Sequence, residues 1–97
     1  MVIYVREITV AADTAKQGEL LFKQLEACLT DTGGAVTLSF EGIDTATSSF
    51  VNAGFVQLLS IMSFDEIKRR LKVINSTRQI NDMIKRRLSR EAGLVAA

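Results

Sequence analysis

The chain has 97 residues, of which 47% are hydrophobic and 24% are charged, and its formal net charge is +1. This profile excludes a disordered protein, and we expect residues 1–97 to form a single globular domain. The chain contains no histidine, which excludes the commonest general base and metal ligand together with Ser-His-Asp and Cys-His catalytic sites.

The N-terminal third predicts one strand followed by one helix. Residues 2–10 are rich in Val, Ile and Thr, and their apolar spacing is irregular around Arg6 and Glu7, which predicts a strand with a bulge or break. Thr14 and Gln17 then form a capping-box pattern ahead of an apolar stripe that ends at two consecutive glycines. That pattern predicts a helix.

The centre of the chain predicts a second strand and a second helix. Residues 35–40 alternate between apolar and hydroxyl-bearing side chains, as in a strand with one buried face. An amphipathic helical pattern then runs from Phe50 to Met62. Gly54 lies within that pattern, where its small size would let the helix approach a sheet closely.

The C-terminal third repeats this alternation. Ser63 and Glu66 form a second capping-box pattern, which predicts a short helix, and residues 71–75 then predict a third strand. Ser76 and Gln79 form a third capping-box pattern at the start of a final helix that is predicted to end near a glycine.

The alternating order favours an α/β fold, with helices packed on a small, mostly parallel sheet of three to four strands. A sheet of three strands leaves exposed edges, and one of them could pair with a second copy of the chain, as a homodimer, or with a partner. Alternatively, the break near Arg6 could form a hairpin that adds a fourth strand.

Cys28 is the single cysteine, which excludes an internal disulfide and favours a reducing compartment such as the cytoplasm. It falls on the apolar stripe of the first predicted helix, where a buried thiol is unreactive. No run of 18 apolar residues occurs, and no basic segment precedes an apolar run at the N-terminus. We therefore expect neither a membrane span nor a secretion signal.

Charge is distributed unevenly along the chain. Residues 1–63 hold three basic and seven acidic side chains, a net charge of −4, whereas residues 64–97 hold nine and four, a net charge of +5. A basic end can indicate a phosphate backbone or an acidic partner. Because no RNA- or DNA-binding module is recognisable, we expect the basic side chains to form solvated helix faces, and nucleic acid is a disfavoured partner.

Motifs for cofactors are missing from the sequence. Neither a dinucleotide-binding fingerprint nor a P-loop occurs. Glu41 and Asp44 are the only carboxylates beside the central loop, and two carboxylates without a third ligand are a weak signal for Mg²⁺. We therefore expect no cofactor and no metal site.

The stretch GIDTATSSFVNAGFVQLL, residues 42–59, concentrates hydroxyl groups just before the central helix. In an open α/β sheet, ligands and partners meet the loops that follow the carboxyl ends of strands, and this stretch follows the second strand. Ser48 or Ser49 is predicted to cap a helix that starts at Phe50. The candidate binding residues are Glu41, Asp44, Thr45, Thr47, Ser48, Ser49 and Asn52.

The segments VTLSFEGIDTATSSFVNAGFVQLL and LKVINSTRQINDMI resemble the STAS superfamily, and more closely its STAS-like branch of unknown function. The shared features are the hydrophobic strand, a Gly-Val/Ile pair and a Ser-Ser-Phe helix start. The resemblance covers approximately residues 15–90, and it implies the same α/β fold.

STAS domains include bacterial anti-sigma factor antagonists, which bind a histidine-kinase-like ATPase that phosphorylates them on a serine at the start of this helix. The antagonist motif reads Asp-Ser-Ser/Thr-Gly, and the matching positions here are Thr47, Ser48, Ser49 and Phe50. The resemblance therefore implies a non-catalytic bacterial signalling module with an ATPase of that kind as partner. It places Ser48 at the phosphoacceptor position, with the adjacent Ser49 as the second candidate. Two positions depart from the motif, because Thr47 replaces the acid and Phe50 places a large ring where the antagonists have glycine.

Two functions of different kinds remain open. In the first, residues 41–52 bind a partner protein, and phosphorylation of a serine adds a charge of about −2 that the helix dipole tolerates but an acidic partner surface does not. In the second, the same hydroxyl groups and the amides of the helix N-terminus hold a small ligand, either a nucleotide or phosphate.

Overall fold

The computed structural model describes residues 2–93. Its strands are β1 (Val2–Tyr4), β2 (Val36–Ser39) and β3 (Leu71–Ile74). Its α-helices are α1 (Val5–Ile8), α2 (Ala15–Thr32), α3 (Ser48–Gly54), α4 (Phe64–Arg70) and α5 (Arg78–Glu91), and a 3-10 helix, Val56–Ser60, follows α3.

The strands of the described residues form one parallel sheet in the order β1-β2-β3. Ile3 lies opposite Leu38, which in turn lies opposite Val73. This arrangement confirms the predicted α/β fold with a small parallel sheet.

The predicted hairpin near Arg6 is wrong, because the chain forms the single turn of α1 there. The N–H of Thr9 donates to the carbonyl oxygen of Val5 at 2.9 Å and closes that turn. Had β1 continued, its alternation would have directed Glu7 towards the same face as Ile3 and Val5, which are both buried. The helical turn leaves the carboxylate of Glu7 in water, where its charge costs least.

The helices cover one face of the sheet. Of the strand side chains on that face, Ile3, Val36, Leu38 and Leu71 are buried and Val73 is half-buried. The other face carries exposed side chains on its outer strands, namely Val2, Tyr4, Lys72 and Ile74. Parallel sheets usually have both faces covered, so the open face is uncommon for this class.

The core lies between the sheet and the helices, with α2 and α3 in close contact. Gly18 of α2 lies directly against Ala53 and Gly54 of α3, where side chains would keep the backbones apart. The rings of Phe40 and Phe55 stack at a centroid distance of 6.3 Å. The largest side chains with no more than 1% exposure are Phe40, Phe50, Phe55, Leu21, Leu25, Leu29, Leu38, Leu58 and Ile80.

Two of the predicted helix starts are confirmed. Thr14 and Gln17 form both bonds of a capping box at α2, and the hydroxyl of Ser63 accepts a hydrogen bond from the N–H of Glu66 at α4. Cys28 is buried with a free thiol, as its position on the stripe of α2 predicts. Within residues 2–93, no helix combines the length and the apolar character needed to cross a membrane.

Two other helix boundaries differ from the prediction. The central pattern from Phe50 to Met62 is not one helix, because α3 ends at Gly54 and the chain continues as the 3-10 helix. At α5 the cap is Thr77 instead of Ser76. The side chain of Gln79, assigned above to a capping box, makes contacts with another segment instead.

Candidate functional site

Residues Glu41–Asn52, here called the rim, lie where β2 ends and α3 begins. Ile43 and Ala46 are 7% and 3% exposed and anchor the segment in the core. The predicted binding residues face outwards to different degrees. Glu41, Asp44, Thr45, Thr47 and Ser49 are exposed, and Ser48 and Asn52 are half-buried. The structure therefore brings all the predicted site residues together at one edge of the sheet.

The first part of the rim is shaped by hydrogen bonds at the end of β2. The hydroxyl of Ser39 is fully buried and accepts from the N–H of Glu41 at 3.2 Å and from Nδ2 of Asn75 at 3.0 Å. Gly42 has a φ of +83°, and the side chain of Arg6 occupies the space where a Cβ would lie. A glycine is therefore required at this turn for two reasons, its dihedral angle and its contact with Arg6.

Thr47 is the N-cap of α3, which corrects the prediction of Ser48 or Ser49. Its Oγ1 accepts from the N–H of Phe50 at 3.2 Å and donates to the carbonyl oxygen of Asp13 at 2.7 Å. Its own N–H donates to the carbonyl oxygen of Ala12 at 3.0 Å. Four of the five residues from Thr45 to Ser49 carry a hydroxyl group suited to capping, and the bonds to the distant residues 12 and 13 select Thr47.

Residues at the start of α5 hold the middle of the rim. Gln79 clamps Ala46, because its Oε1 accepts from the Ala46 N–H at 3.0 Å and its Nε2 donates to the Ala46 carbonyl oxygen at 2.9 Å. Thr77 donates its hydroxyl to the carbonyl oxygen of Asp44 at 2.8 Å and also accepts from the N–H of Ile80. Hydrogen bonds thus fix the rim backbone both to the start of α5 and, through Thr47, to residues 12 and 13. The exposed side chains of the rim are therefore held on an ordered backbone.

Sequence reasoning missed Asn75, Thr77 and Gln79 as supports of the rim. The LKVINSTRQINDMI segment was recognised as part of the family pattern, but nothing in its spacing links Gln79 to Ala46, 33 residues earlier. Asn75 has a φ of +55°, a conformation that Asn adopts more readily than most residues. A polar Asn-Ser-Thr run after a strand was the signal that could have indicated such a role.

Ser48 and Ser49 are the first two residues of α3. Neither hydroxyl group is hydrogen bonded to any residue in the described range. The helix also leaves the N–H groups of its first residues without intrahelical partners. The geometry therefore presents two free hydroxyl groups beside the positive end of a helix.

Phe50 does not place its ring on this surface. The side chain is 0% exposed and belongs to the hydrophobic core, beneath the first turn of α3. The large ring that replaces the glycine of the antagonist motif is therefore part of the core and not of the exposed surface of the rim. A helix directs residues three or four apart to one face, so Phe50 points inwards with Gly54 while Ser49 points outwards.

Asn52 contributes an unpaired polar atom on the next turn of α3. Its Oδ1 is buried and has no hydrogen-bond partner within the described residues. Such an acceptor costs about 1–3 kcal/mol of stability relative to a paired one. The residue is half-buried, so the remainder of its amide lies at the edge of the rim.

Part of the basic C-terminal charge has a structural role. Arg70 donates through Nε to the carbonyl oxygen of Gly34 at 3.2 Å and through Nη2 to the carbonyl oxygen of Leu29. It therefore neutralises the negative end of α2, where a cation is favourable. Among residues 2–93, no three His, Cys, Asp or Glu side chains are grouped as ligands for a metal ion.

We expect Gln79→Ala to lower the free energy of unfolding by about 1–2 kcal/mol, since the buried N–H and C=O of Ala46 both lose their partner. Urea denaturation monitored by circular dichroism measures this loss, and hydrogen exchange should show faster exchange at Ala46. Gln57→Ala is the matched control, because Gln57 is exposed and its side chain makes no hydrogen bond to a described residue. If both variants lost the same free energy of unfolding, the two hydrogen bonds between Gln79 and Ala46 would not contribute to stability.

A model of a known protein family matches more than half of the chain. The family model described as the STAS-like domain of unknown function (DUF4325) matches residues 17–81, which include most of α2 and all of β2, the rim, α4 and β3. No curated protein and no solved structure matched the chain. The match covers more than half of the chain and contains every residue of the candidate site, and on that basis the chain belongs to the STAS-like domain family of unknown function.

Proposed function

We propose that the chain is a non-catalytic, cytoplasmic protein-interaction module of bacterial regulation that binds a partner protein through the rim. The observation that carries the proposal is the rigid display of polar side chains by Glu41–Asn52, at the carboxyl end of a parallel sheet. A surface that is already ordered loses little conformational entropy on binding. The resemblance to anti-sigma factor antagonists implies a histidine-kinase-like ATPase as the class of partner.

Phosphorylation of Ser48 or Ser49 is the proposed regulatory step. Both hydroxyl groups lack partners within the described residues, and Ser49 is exposed while Ser48 is half-buried. A phosphate on either residue lies at the N-terminus of α3, whose dipole stabilises negative charge. The fold would tolerate the modification, and the partner would meet about −2 of new charge at the centre of the contact.

The serines also suit this role because neither caps a helix. Thr47 makes the capping bond of α3, so changing Ser48 or Ser49 leaves that bond intact. Binding and stability can therefore be altered separately at the rim. The sequence supports the absence of catalysis in this proposal, since it contains no histidine to act as a base beside either hydroxyl group.

We expect Ser48→Asp and Ser49→Asp each to weaken partner capture about tenfold or more, because a desolvated like-charge contact costs at least 1.4 kcal/mol, roughly a factor of ten. The free energy of unfolding should change by less than about 1 kcal/mol, since a carboxylate in the first turn of a helix is favourable. Quantitative affinity capture from native lysate measures the first quantity, and urea denaturation measures the second.

Ser60→Asp is the matched control, because Ser60 is exposed and lies on the 3-10 helix outside the rim. It should leave partner capture unchanged. If the Ser48 and Ser49 variants recover the same partners in the same amounts as the unmodified chain, the rim is not the contact surface and the proposal fails.

A second candidate function, binding of phosphate or a nucleotide, is favoured by one observation. The N-caps of α2, α3 and α5 are the threonines Thr14, Thr47 and Thr77, and hydrogen bonds link Thr47 to Asp13 and Thr77 to Asp44. The positive ends of three helices therefore lie at or beside the rim, although each cap already occupies one amide. Stabilisation of the chain by millimolar phosphate or ATP in a thermal-shift assay would favour this function over protein binding.

A further inference from the structure

A groove separate from the rim lies between α4 and α5, with β3 as its floor. Its volume is about 640 Å³, and it shares no lining residue with Glu41–Asn52. The walls and floor are apolar. They consist of Phe64, Ile67, Leu71, Val73, Ile84 and Leu88. Phe64 and Val73 are half-buried, and β3 is an edge strand of the described sheet, so the groove opens to solvent along that edge.

Both charged residues that line the groove are basic. Lys68 stands on α4 and Lys85 on α5, and the remaining lining residues, Asn81 and Ser89, are uncharged. Nζ of Lys68 lies 5.4 Å from the centre of the Phe64 ring, which holds this cation beside the apolar wall. Neither lysine forms an ion pair with another residue of the described range.

The elements that form the groove also carry an overall positive charge. The elements α4, β3 and α5 all lie in residues 64–97, which carry nine basic and four acidic side chains, a net charge of +5. Arg70 neutralises the end of α2, and the ion pair that it forms with Glu66 is long, at 3.8 Å. A concave apolar surface with a positive border therefore faces solvent.

We infer that this groove binds an amphipathic segment of a partner protein in which apolar side chains alternate with carboxylates. The apolar side chains fill the space above Leu71 and Val73, and the carboxylates reach Lys68 and Lys85 on opposite walls. A nucleic-acid backbone matches this surface poorly, because its phosphates could contact the lysines but nothing would pack against the apolar floor. This second contact does not depend on the rim.

The test is a selection of random peptides displayed on phage against the whole chain. We expect the enriched peptides to combine apolar residues at regular spacing with Asp or Glu. Binding of an enriched synthetic peptide, measured by fluorescence anisotropy, should weaken about tenfold or more in the double variant Lys68→Glu/Lys85→Glu. The matched control is Arg69→Glu/Arg86→Glu, which makes the same change in net charge on the same two helices at exposed positions that do not line the groove.

The control should weaken binding less than about threefold, because its charges act only at long range through screening salt. Equal weakening in both variants, enrichment of peptides without carboxylates, or no enrichment would each overturn the inference. A chain that sediments as a dimer and dissociates in the Lys68→Glu/Lys85→Glu variant would also overturn it, since the occupant would then be a second copy. The rim variants Ser48→Asp and Ser49→Asp should bind the peptide normally, so failure of the proposed function can be distinguished from failure of the groove.

Discussion

Gly18→Ala is expected to destabilise the chain by roughly 2–3 kcal/mol, although alanine is the better helix former by about 1 kcal/mol. Gly18 lies in α2, where α2 crosses α3. A Cβ at this position would overlap the carbonyl oxygen of Phe50 and would lie 2.8 Å from the Cβ of Ala53. Neither neighbour is the end of a flexible side chain, so the two helices must separate and the core beneath them loosens.

The other glycines provide a graded set of controls for this prediction. At Gly54 the nearest atoms to an added Cβ are at 3.2 and 3.3 Å, which predicts a smaller loss for Gly54→Ala. At Gly34 an added Cβ has no neighbour within 4 Å, and Gly34→Ala should be neutral or slightly stabilising. Urea denaturation should therefore rank the variants Gly18, Gly54, Gly34 in order of decreasing loss. A Gly18→Ala chain that is as stable as Gly34→Ala would contradict the close approach of α2 and α3.

Elements specified by neighbouring residues could be predicted from the sequence. The start of α2 depends on Thr14 and Gln17, three residues apart, and the start of α4 depends on Ser63 and the Glu66 amide. Residues 35–40 showed the two-residue period of β2 because Val36 and Leu38 face the helices, whereas Thr37 and Ser39 lie on the opposite face of the sheet. In each case the residues that determine the element lie within one helical turn or one strand of each other, so the sequence pattern contains them all.

Elements specified by distant residues could not be predicted in this way. The cap of α3 is Thr47 because the carbonyl oxygens of residues 12 and 13 accept hydrogen bonds from its N–H and its hydroxyl. The cap of α5 is Thr77 because its hydroxyl also donates to the carbonyl oxygen of Asp44. Adjacent serines have the same capping chemistry, so local spacing could not choose between them. The position of the rim was predictable for a different reason, because parallel α/β topology alone places the loop after β2 at one edge of the sheet.

Phe50→Ala is expected to lower the free energy of unfolding by about 3–5 kcal/mol, which is a large part of the stability of a domain of this size. The Phe50 ring is fully buried, and its removal leaves a cavity beneath the first turn of α3. Because the N–H of Phe50 still donates to Oγ1 of Thr47, the loss would report packing and not capping. Calorimetry or urea denaturation measures it, and a loss below about 1 kcal/mol would mean that the ring is not in the core.

Phe50→Leu separates the packing role of this residue from any role at the binding surface. Leucine refills most of the cavity, so the expected loss of stability is only about 1–2 kcal/mol. Because the ring lies under the helix while Ser49 lies on its outer side, Phe50→Leu should leave partner capture unchanged as long as the chain is folded. A folded Phe50→Leu chain that loses its partners would instead place the side chain of Phe50 in the contact.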